Sequence, residues 1–521
     1  MKKSRLFILS SIIPCALALS GCFLTRIVND IIDVTPTENV SIDVVSEVKI
    51  NLSKTNTKQL DPQLVGATKN YQFVYSSSNS NVATVSSTGL ITAHSVGETS
   101  IIITLDSNRG VATSVKVKVV DETTETYDYT IMLYMCGSTL EYDKDDKENP
   151  NAEFFTKDIQ EILSVSGMPD SVKIIIETGG AERWFMPSSY LEGATSISST
   201  SLERWEVNNS TGKLKHIATL NTNEMAKESS FESFLNWGLD DYEADQMGVI
   251  ISGHGGGIAG CAYDDNYTYK YGNYYYSHTL QTFEVATAAK NALANSNKDK
   301  FTWIGYDCCL MQCADIASIN SDYFEYMVAS QEEEVATGWN HDVYLEFLKK
   351  NTHISPTEFL PKICDAFLSD NHVSSETSRT ACYQTLSVLD LSKIPSLTTS
   401  FNSLVTSLGL TNQLRYTAAL SAFKSVSYLF GEGIYGLCDF KQLMNKISGS
   451  TAVINALDDL VLYSKSCSKY SFTPCGVNAF FPYENNSKEI LQVGKEDYEN
   501  ALSTKFTNWQ KICVDYGTFG W

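Results

Sequence analysis

The sequence predicts an α/β layered fold with a mostly parallel sheet, preceded by a small all-β sandwich. Three observations predict it. Between residues 129 and 330, short continuous apolar runs recur with helical stretches between them. Residues 41–120 carry only period-two alternation and turn residues. The texture changes across residues 121–128, a charged, Thr-rich stretch with no apolar period. A chain of 521 residues is too long for one ordinary domain. Hydrophobic residues make up 43% and charged residues 19%, which suits folded domains with a sizeable core.

The N-terminus reads MKKSRLFILSSIIPCALALSGC. Lys2, Lys3 and Arg5 form a basic region, Leu6 to Leu19 is mostly apolar, and small residues precede Cys22. This is an export signal rather than a spanning helix. Its end, LSGC, resembles the lipobox of bacterial lipoproteins. The resemblance implies removal of residues 1–21 and lipidation of Cys22, hence an extracytoplasmic, membrane-anchored protein. No later stretch is long and apolar enough to cross a bilayer. Residues 22–37 read as a tether.

Residues 38–120 form the sandwich. VKINL alternates Val48, Ile50 and Leu52 against polar residues, and VKVKVV alternates Val115, Val117 and Val119 against lysines. Such alternation indicates strands with one buried face. Between them, YSSSNSNVATVSSTGLITAHSVGETSIII separates short β-branched runs with Ser, Gly and Asn turns, the texture of a small β-sandwich. This stretch resembles the bacterial group 2 immunoglobulin-like domain, a surface spacer or adhesive module.

After the 121–128 linker, residues 129–521 form the second domain. YTIMLYM (129–135), VKIIIE (172–177), MGVIIS (247–252), FTWIGYD (301–307) and EYMVAS (325–330) are apolar on both faces, as buried parallel strands are. SSFESFLNWGL predicts a helix with Ser229 as N-cap and Glu232 closing a capping box; Phe231, Phe234 and Leu235 share its apolar face. TLQTFEVATAAKNALA predicts a second helix. From about Pro356 the pattern is mainly helical, with a strand-like GVNAFFPY at 476–483.

Charge and cysteine usage exclude several functions. The formal net charge of −22 argues against a nucleic-acid partner, whose phosphates need a basic face. Of the 13 cysteines, Cys15 leaves with the signal and Cys22 takes the lipid. The rest are odd in number and scattered, which is no disulfide framework. No C-x-x-C pair supports structural zinc.

In an open α/β sheet, reactive groups gather just past the carboxyl ends of strands. VIISGHGGG places His254 and three glycines at one such end; IGYDCCLMQC places Cys308, Cys309 and Cys313 at another. The cysteines read as lying at a helix start, where the dipole lowers a thiol pKa. A neighbouring histidine can serve a thiol nucleophile, and the glycines let backbone N–H groups approach an oxyanion.

These stretches resemble the clostripain family of cysteine peptidases, which shares the caspase-like fold. The resemblance rests on YTIMLYMCGSTLE, SGHGGG, Tyr263-Asp264-Asp265, GYDCCLM and VASQEEEVATGW, in that order. It implies a cysteine endopeptidase with Cys309 as nucleophile and His254 as its partner. Backbone N–H groups of Gly255 and Cys309 would form the oxyanion hole. Asp307 would lie at the floor of the S1 pocket and favour a basic P1 side chain. Thr337 stands where relatives often carry a second acid, just before Gly338-Trp339. By the same register, Cys308 and Cys313 are packing residues. Relatives are often cut by themselves between histidine and cysteine. Here DDNYTYKYGNYYYSHT (264–279) reads as an exposed loop, with Lys270 as the basic residue for such a cut. No cofactor is expected; some relatives use calcium, so a surface calcium ion is compatible with the resemblance. The expected partners are protein or peptide substrates and, through the anchor, a membrane.

Other readings find less. HGGG also occurs in lipase oxyanion loops, but no G-x-S-x-G elbow exists. No H-E-x-x-H occurs for a zinc peptidase. DKDDKENPNAE (143–153) mimics a calcium loop, yet Lys147 and Glu148 sit where an EF-hand needs an oxygen ligand and a glycine. The alternative from another class is a catalytically inactive surface adhesin.

Overall fold

A computed structural model describes the chain except residues 1–39, 54, 68–70, 122–126, 147–149, 272–273, 370–382, 410–412, 434, 468, 483–498 and 517–521. The signal, Cys22, the whole tether, most of the linker, and Lys147 and Glu148 therefore lie outside the described residues.

The first domain is a sandwich. Four strands pair in the order Glu47–Asn51, Ala112–Val120, Gly97–Leu105, Phe73–Ser77. Three shorter ones, Thr57–Gln59, Leu90–Ala93 and Ala83–Val85, form a facing sheet. The expected alternation is real: Ile50, Val115, Val117, Ile101 and Ile103 are fully buried in its core, while Lys116 and Lys118 point outward. This domain is docked on the second. Lys58, only 3% exposed, donates to Asn236 Oδ1 at 2.8 Å, and the Gln59 N–H reaches Asn295 Oδ1 at 2.8 Å.

The second domain is built on a ten-stranded sheet. Its centre is five parallel strands in the spatial order Val172–Gly179, Tyr127–Cys136, Ala244–Ser252, Phe301–Asp307, Phe324–Ala329. These are the five apolar runs of the sequence. Their residues are buried on both sides because helices cover both faces: Phe154–Ser164 and His341–Lys349 pack on one, Glu228–Asp241 and Thr282–Leu293 on the other. Antiparallel strands extend it, Glu203–Asn208 and Lys213–Thr219 on one side, Thr385–Asp390 and Val461–Ser466 on the other, and the two-residue strand Leu191–Glu192, parallel to Lys213–Thr219, is the tenth. The C-terminal part is mainly helical as expected, and GVNAFFPY supplies the short strand Asn478–Phe480.

Three local expectations are corrected. Helix Glu228–Asp241 starts after Lys227, so Ser229 lies inside it and is not its N-cap. Its hydroxyl is used instead by Asp43 of the first domain, a partner invisible to local pattern. The predicted loop 264–279 is a β-hairpin, Cys261–Tyr271 against Tyr274–Leu280. Its polar sequence hides the strands, but the pairs Tyr269↔Tyr276 and Lys270↔Tyr275 are the aromatic cross-strand contacts that stabilise exposed hairpins. Third, the helix after the cysteines begins only at Ala314, with Cys313 as N-cap. Cys308 and Cys309 therefore lie in the loop between strand and helix, and Cys313 is not one helical turn beyond Cys309.

Candidate active site

Strand register assembles the site. Strands Ala244–Ser252 and Phe301–Asp307 are parallel neighbours with Ser252 opposite Asp307. His254 and Cys309 each stand two residues further on, so both leave the sheet at the same height from strands about 4.8 Å apart. The Gly253 N–H donates to the Asp307 carbonyl at 3.2 Å and locks the two exits together. Gly255 then packs so closely on the cysteine loop that a Cβ there would stand 2.4 Å from the Cys309 carbonyl oxygen. Only glycine fits, which is the physical reason for this member of the Gly triplet.

The third strand exit is the one just before Thr139. Its strand, Tyr127–Cys136, lies on the other side of the histidine strand. The Thr139 hydroxyl hydrogen-bonds His254 Nε2 at 2.8 Å. The fourth exit follows strand Phe324–Ala329 and carries Glu332 to Gly338 back over the cysteine loop. The Leu310 N–H donates to the Glu332 carbonyl at 3.0 Å and the Gln312 N–H to the Ser330 carbonyl at 2.9 Å. Between these two bonds Leu310 is buried with φ of +67°, a left-handed conformation that a leucine holds only when its surroundings fix it.

A cavity of about 220 Å³ lies under this loop, lined among others by His254, Asp307, Cys309, Glu334, Asp158 and Gly338. Cys309 is half-buried at its rim, and its Sγ accepts the Glu334 N–H at 3.3 Å. Cys308 points the other way: it is buried and donates to the Ile251 carbonyl at 3.3 Å. Cys313 is fully buried. All ten cysteines among the described residues are free thiols.

Asp307 forms the floor. A Cβ at Gly338, whose φ is +60°, would stand 3.1 Å from Asp307 Oδ2, so this glycine keeps the floor open. Glu334 lines the same cavity, and both of its carboxyl oxygens, like Asp307 Oδ2, are buried without a hydrogen-bond partner. Behind them His341 Nε2 lies 3.8 Å from Asp307 Oδ2. Asp158, Asp307 and His341 bring one donor atom each within 4.8 Å of one another, a grouping that suits a cationic group.

The electrostatics differ from the sequence expectation. Burial pushes the Cys309 thiol up to about 12, with the Glu334, Glu333 and Glu332 carboxylates adding to it and only the Glu334 N–H opposing. No helix dipole reaches it, because the helix starts five residues later. Burial also holds His254 below its ordinary value, partly offset by Asp265 and Asp143. Both shifts favour a neutral thiol and a neutral imidazole in the resting pair.

The structure brings together His254, Gly255, Asp307 and Cys309 as the sequence motifs indicated. Lys270 lies apart from them, exposed near the hairpin tip with its ammonium 5.8 Å from the Tyr275 ring centroid. Sequence reasoning missed Thr139, Asp158 and His341; it sees Glu332, Glu333 and Glu334 as acids near Thr337 in sequence but does not give their direction. For Glu334 a signal existed: it follows the end of the strand next to the cysteine strand. Asp158 and His341 sit on covering helices, where no strand-end rule applies.

A model of the clostripain family matches residues 144–515, and one of the bacterial Ig-like domain (group 2) matches residues 38–119. Among solved structures, the chain resembles a secreted C11 cysteine protease from Bacteroides thetaiotaomicron in complex with an irreversible peptide inhibitor. Identity is 14% over 72% of this chain and 99% of that one, with a TM-score of 0.50. It also resembles an inactive zymogen C11 protease from Parabacteroides distasonis, at 15% identity over 73% of this chain and 100% of that one, TM-score 0.50. No match is found among curated proteins. At these identities the structures speak for the fold.

Proposed function

The chain belongs to the clostripain family of cysteine peptidases, and from that premise we propose an exported, lipid-anchored endopeptidase that cuts after Arg or Lys, with Cys309 as nucleophile and His254 as its acid/base. The observation that carries this reading is the register pair Ser252↔Asp307. It sets histidine, cysteine and an acid-floored pocket side by side.

The steps follow from the groups present. With Nε2 engaged by Thr139, His254 Nδ1 is the nitrogen that exchanges the Cys309 proton. Both groups start neutral, so the proton moves from Sγ to Nδ1 as sulfur bonds to the scissile carbonyl carbon. The carbonyl oxygen takes the negative charge and is held by the N–H groups of Gly255 and Cys309. The imidazolium then gives its proton to the leaving amine, and the C–N bond breaks to leave a thioester. Water, deprotonated by the same imidazole, attacks the thioester and releases the acid and the thiol. These steps use only groups of this chain. Asp307 holds the P1 guanidinium or ammonium, a charge-assisted contact in a water-poor pocket.

A peptide library cleaved by the purified mature protein and read by mass spectrometry tests the specificity. Cuts should fall after Arg or Lys. Asp307→Asn should lower kcat/KM on such sites tens-fold or more, since a charge-assisted pair contributes roughly 1.5–3 kcal/mol; an unchanged preference removes Asp307 from the pocket. The anchor is proposed from the N-terminal sequence alone. Stable attachment takes about two acyl chains, which a lipidated N-terminal cysteine supplies. Cys22→Ser should move the protein from membranes to the soluble fraction, and continued membrane association of the processed form would point to a different anchor.

A further inference from the structure

The floor of the pocket holds more carboxyl groups than it can hold charges. Asp307 and Glu334 both line the cavity and are 6% and 9% exposed, and Asp307 Oδ2 and both Glu334 carboxyl oxygens are buried with no hydrogen-bond partner. They come from neighbouring strand exits, and Glu334 is fixed in place by its own N–H on Cys309 Sγ. No Lys or Arg lines the cavity among the described residues. Two carboxylates confined to one low-dielectric cavity repel unless one of them takes up a proton.

Of the surrounding groups, Lys157 acts on Asp158 and His341 Nε2, 3.8 Å from Asp307 Oδ2, would pair with it if protonated; most of the others are acids. Helix Phe154–Ser164 adds Asp158 and Glu161, and Glu141 lies close to Asp158. Helix His341–Lys349 adds Asp342, which faces Glu161, Tyr344, and His341, whose Nδ1 is 2.6 Å from the Tyr344 hydroxyl. Ser252 and the Trp339 N–H favour the charged form of Asp307. The floor therefore carries a surplus of acid.

We infer that in the empty pocket Asp307 and Glu334 share one proton, and that a cationic P1 side chain displaces it to solvent on binding. This inference rests on the proposed basic P1 specificity and deepens it. The separate preferences agree with it. Burial raises the Asp307 carboxyl to about 6, opposed by Glu334, Trp339 and Ser252. Burial and the Asp307 charge push Glu334 well above the carboxylate range. Near neutral pH, Asp307 thus holds the charge and Glu334 the proton. An arriving guanidinium stabilises a second carboxylate, so Glu334 loses its proton and both acids face the cation. Glu334 thereby stands in for the acid that relatives often carry at the place of Thr337. The selectivity follows: preference for arginine over its uncharged isostere citrulline should rise with pH, by at most about tenfold per pH unit for one proton.

Calorimetry of benzamidine binding to the full Cys309→Ala chain, near neutral pH in buffers of different ionisation enthalpy, counts the protons released. About one per site is expected. Glu334→Gln should still bind the cation, release none, and, in the active background, show an arginine-to-citrulline ratio that is flat above the Asp307 range. Asp158→Asn should leave the release intact. Binding without proton release in the unsubstituted pocket overturns the inference, whatever becomes of the variants. Release that survives in Glu334→Gln, or vanishes only in Asp158→Asn, overturns the assignment to this pair. If benzamidine does not bind and no basic site is cut, the P1 specificity itself fails and takes this inference with it.

Discussion

Cys309 and Cys308 are adjacent, and the strand geometry separates their fates. Consecutive residues leaving a strand point to opposite sides. Cys308 turns inward to the Ile251 carbonyl, while Cys309 meets the cavity and the Glu334 N–H. Cys309→Ala should abolish peptidase activity. Cys308→Ala should keep most of it and lose some stability, since removing a buried thiol leaves a small void, a cost of order 1 kcal/mol. Labelling with iodoacetamide in the active protein should be fastest at Cys309, ahead of Cys467 and Cys475, the other half-buried thiols among the described residues; a dead Cys308→Ala with an active Cys309→Ala reverses the register. Because burial and the nearby glutamates disfavour the Cys309 thiolate, labelling of the resting enzyme should also accelerate with rising pH rather than plateau at neutrality.

At the scale of elements, the hairpin Cys261–Tyr271/Tyr274–Leu280 changes what self-cleavage requires. The bond after Lys270 lies in a paired strand, with Lys270 opposite Tyr275 and Tyr271 opposite Tyr274. A peptidase cleft takes extended, unpaired backbone, so the tip must open before Lys270 enters an S1 pocket. Exposed tips are where such opening is easiest. The proposed cut therefore yields a new N-terminus at Tyr271, absent from Cys309→Ala. N-terminal sequencing of the mature protein checks it, and a fully active enzyme that remains one chain removes the cut as an activation step. The same hairpin carries His278 onto Glu224, which also accepts Lys227, so its base is tied down.

For the whole molecule, acidity and burial combine into a pH dependence of stability. Burial raises Glu228 to about 9, Glu161, Glu232 and Asp315 to about 7, and Asp264 to about 6. Like-charged neighbours add to this at Glu228, where Glu284 leads. Each of these folded-state values lies above the unfolded one. Between the unfolded carboxylate range and these values the folded chain binds more protons than the unfolded chain, so stability falls as pH rises. The melting temperature should therefore drop steadily from about pH 6 to about pH 9, the window set by these groups. A flat or rising profile across that window contradicts it. Asp365 and Glu224 act oppositely, their folded-state values being lowered by Lys465 and Tyr463 and by His278 and Lys227 against the effect of burial, but their contribution is complete below that window.

The sequence by itself determined the two domains, the five parallel strands and the placement of His254, Gly255, Asp307 and Cys309. Apolar runs and strand-end motifs are local, and a parallel sheet turns such local signals directly into a site. Tertiary structure decided the rest. Ser229 lost its cap role to Asp43 of the other domain. The Tyr-rich stretch became a hairpin because cross-strand pairs, not periodicity, hold it. The cysteine loop stays non-helical as far as Cys313 because its N–H groups bond the neighbouring strand exit at Ser330 and Glu332. Glu334, Asp158 and His341 reach Asp307 from a loop and two helices far apart in sequence. Their contact exists only once the sheet is covered, and the same covering removes the water that would have let each acid keep its charge.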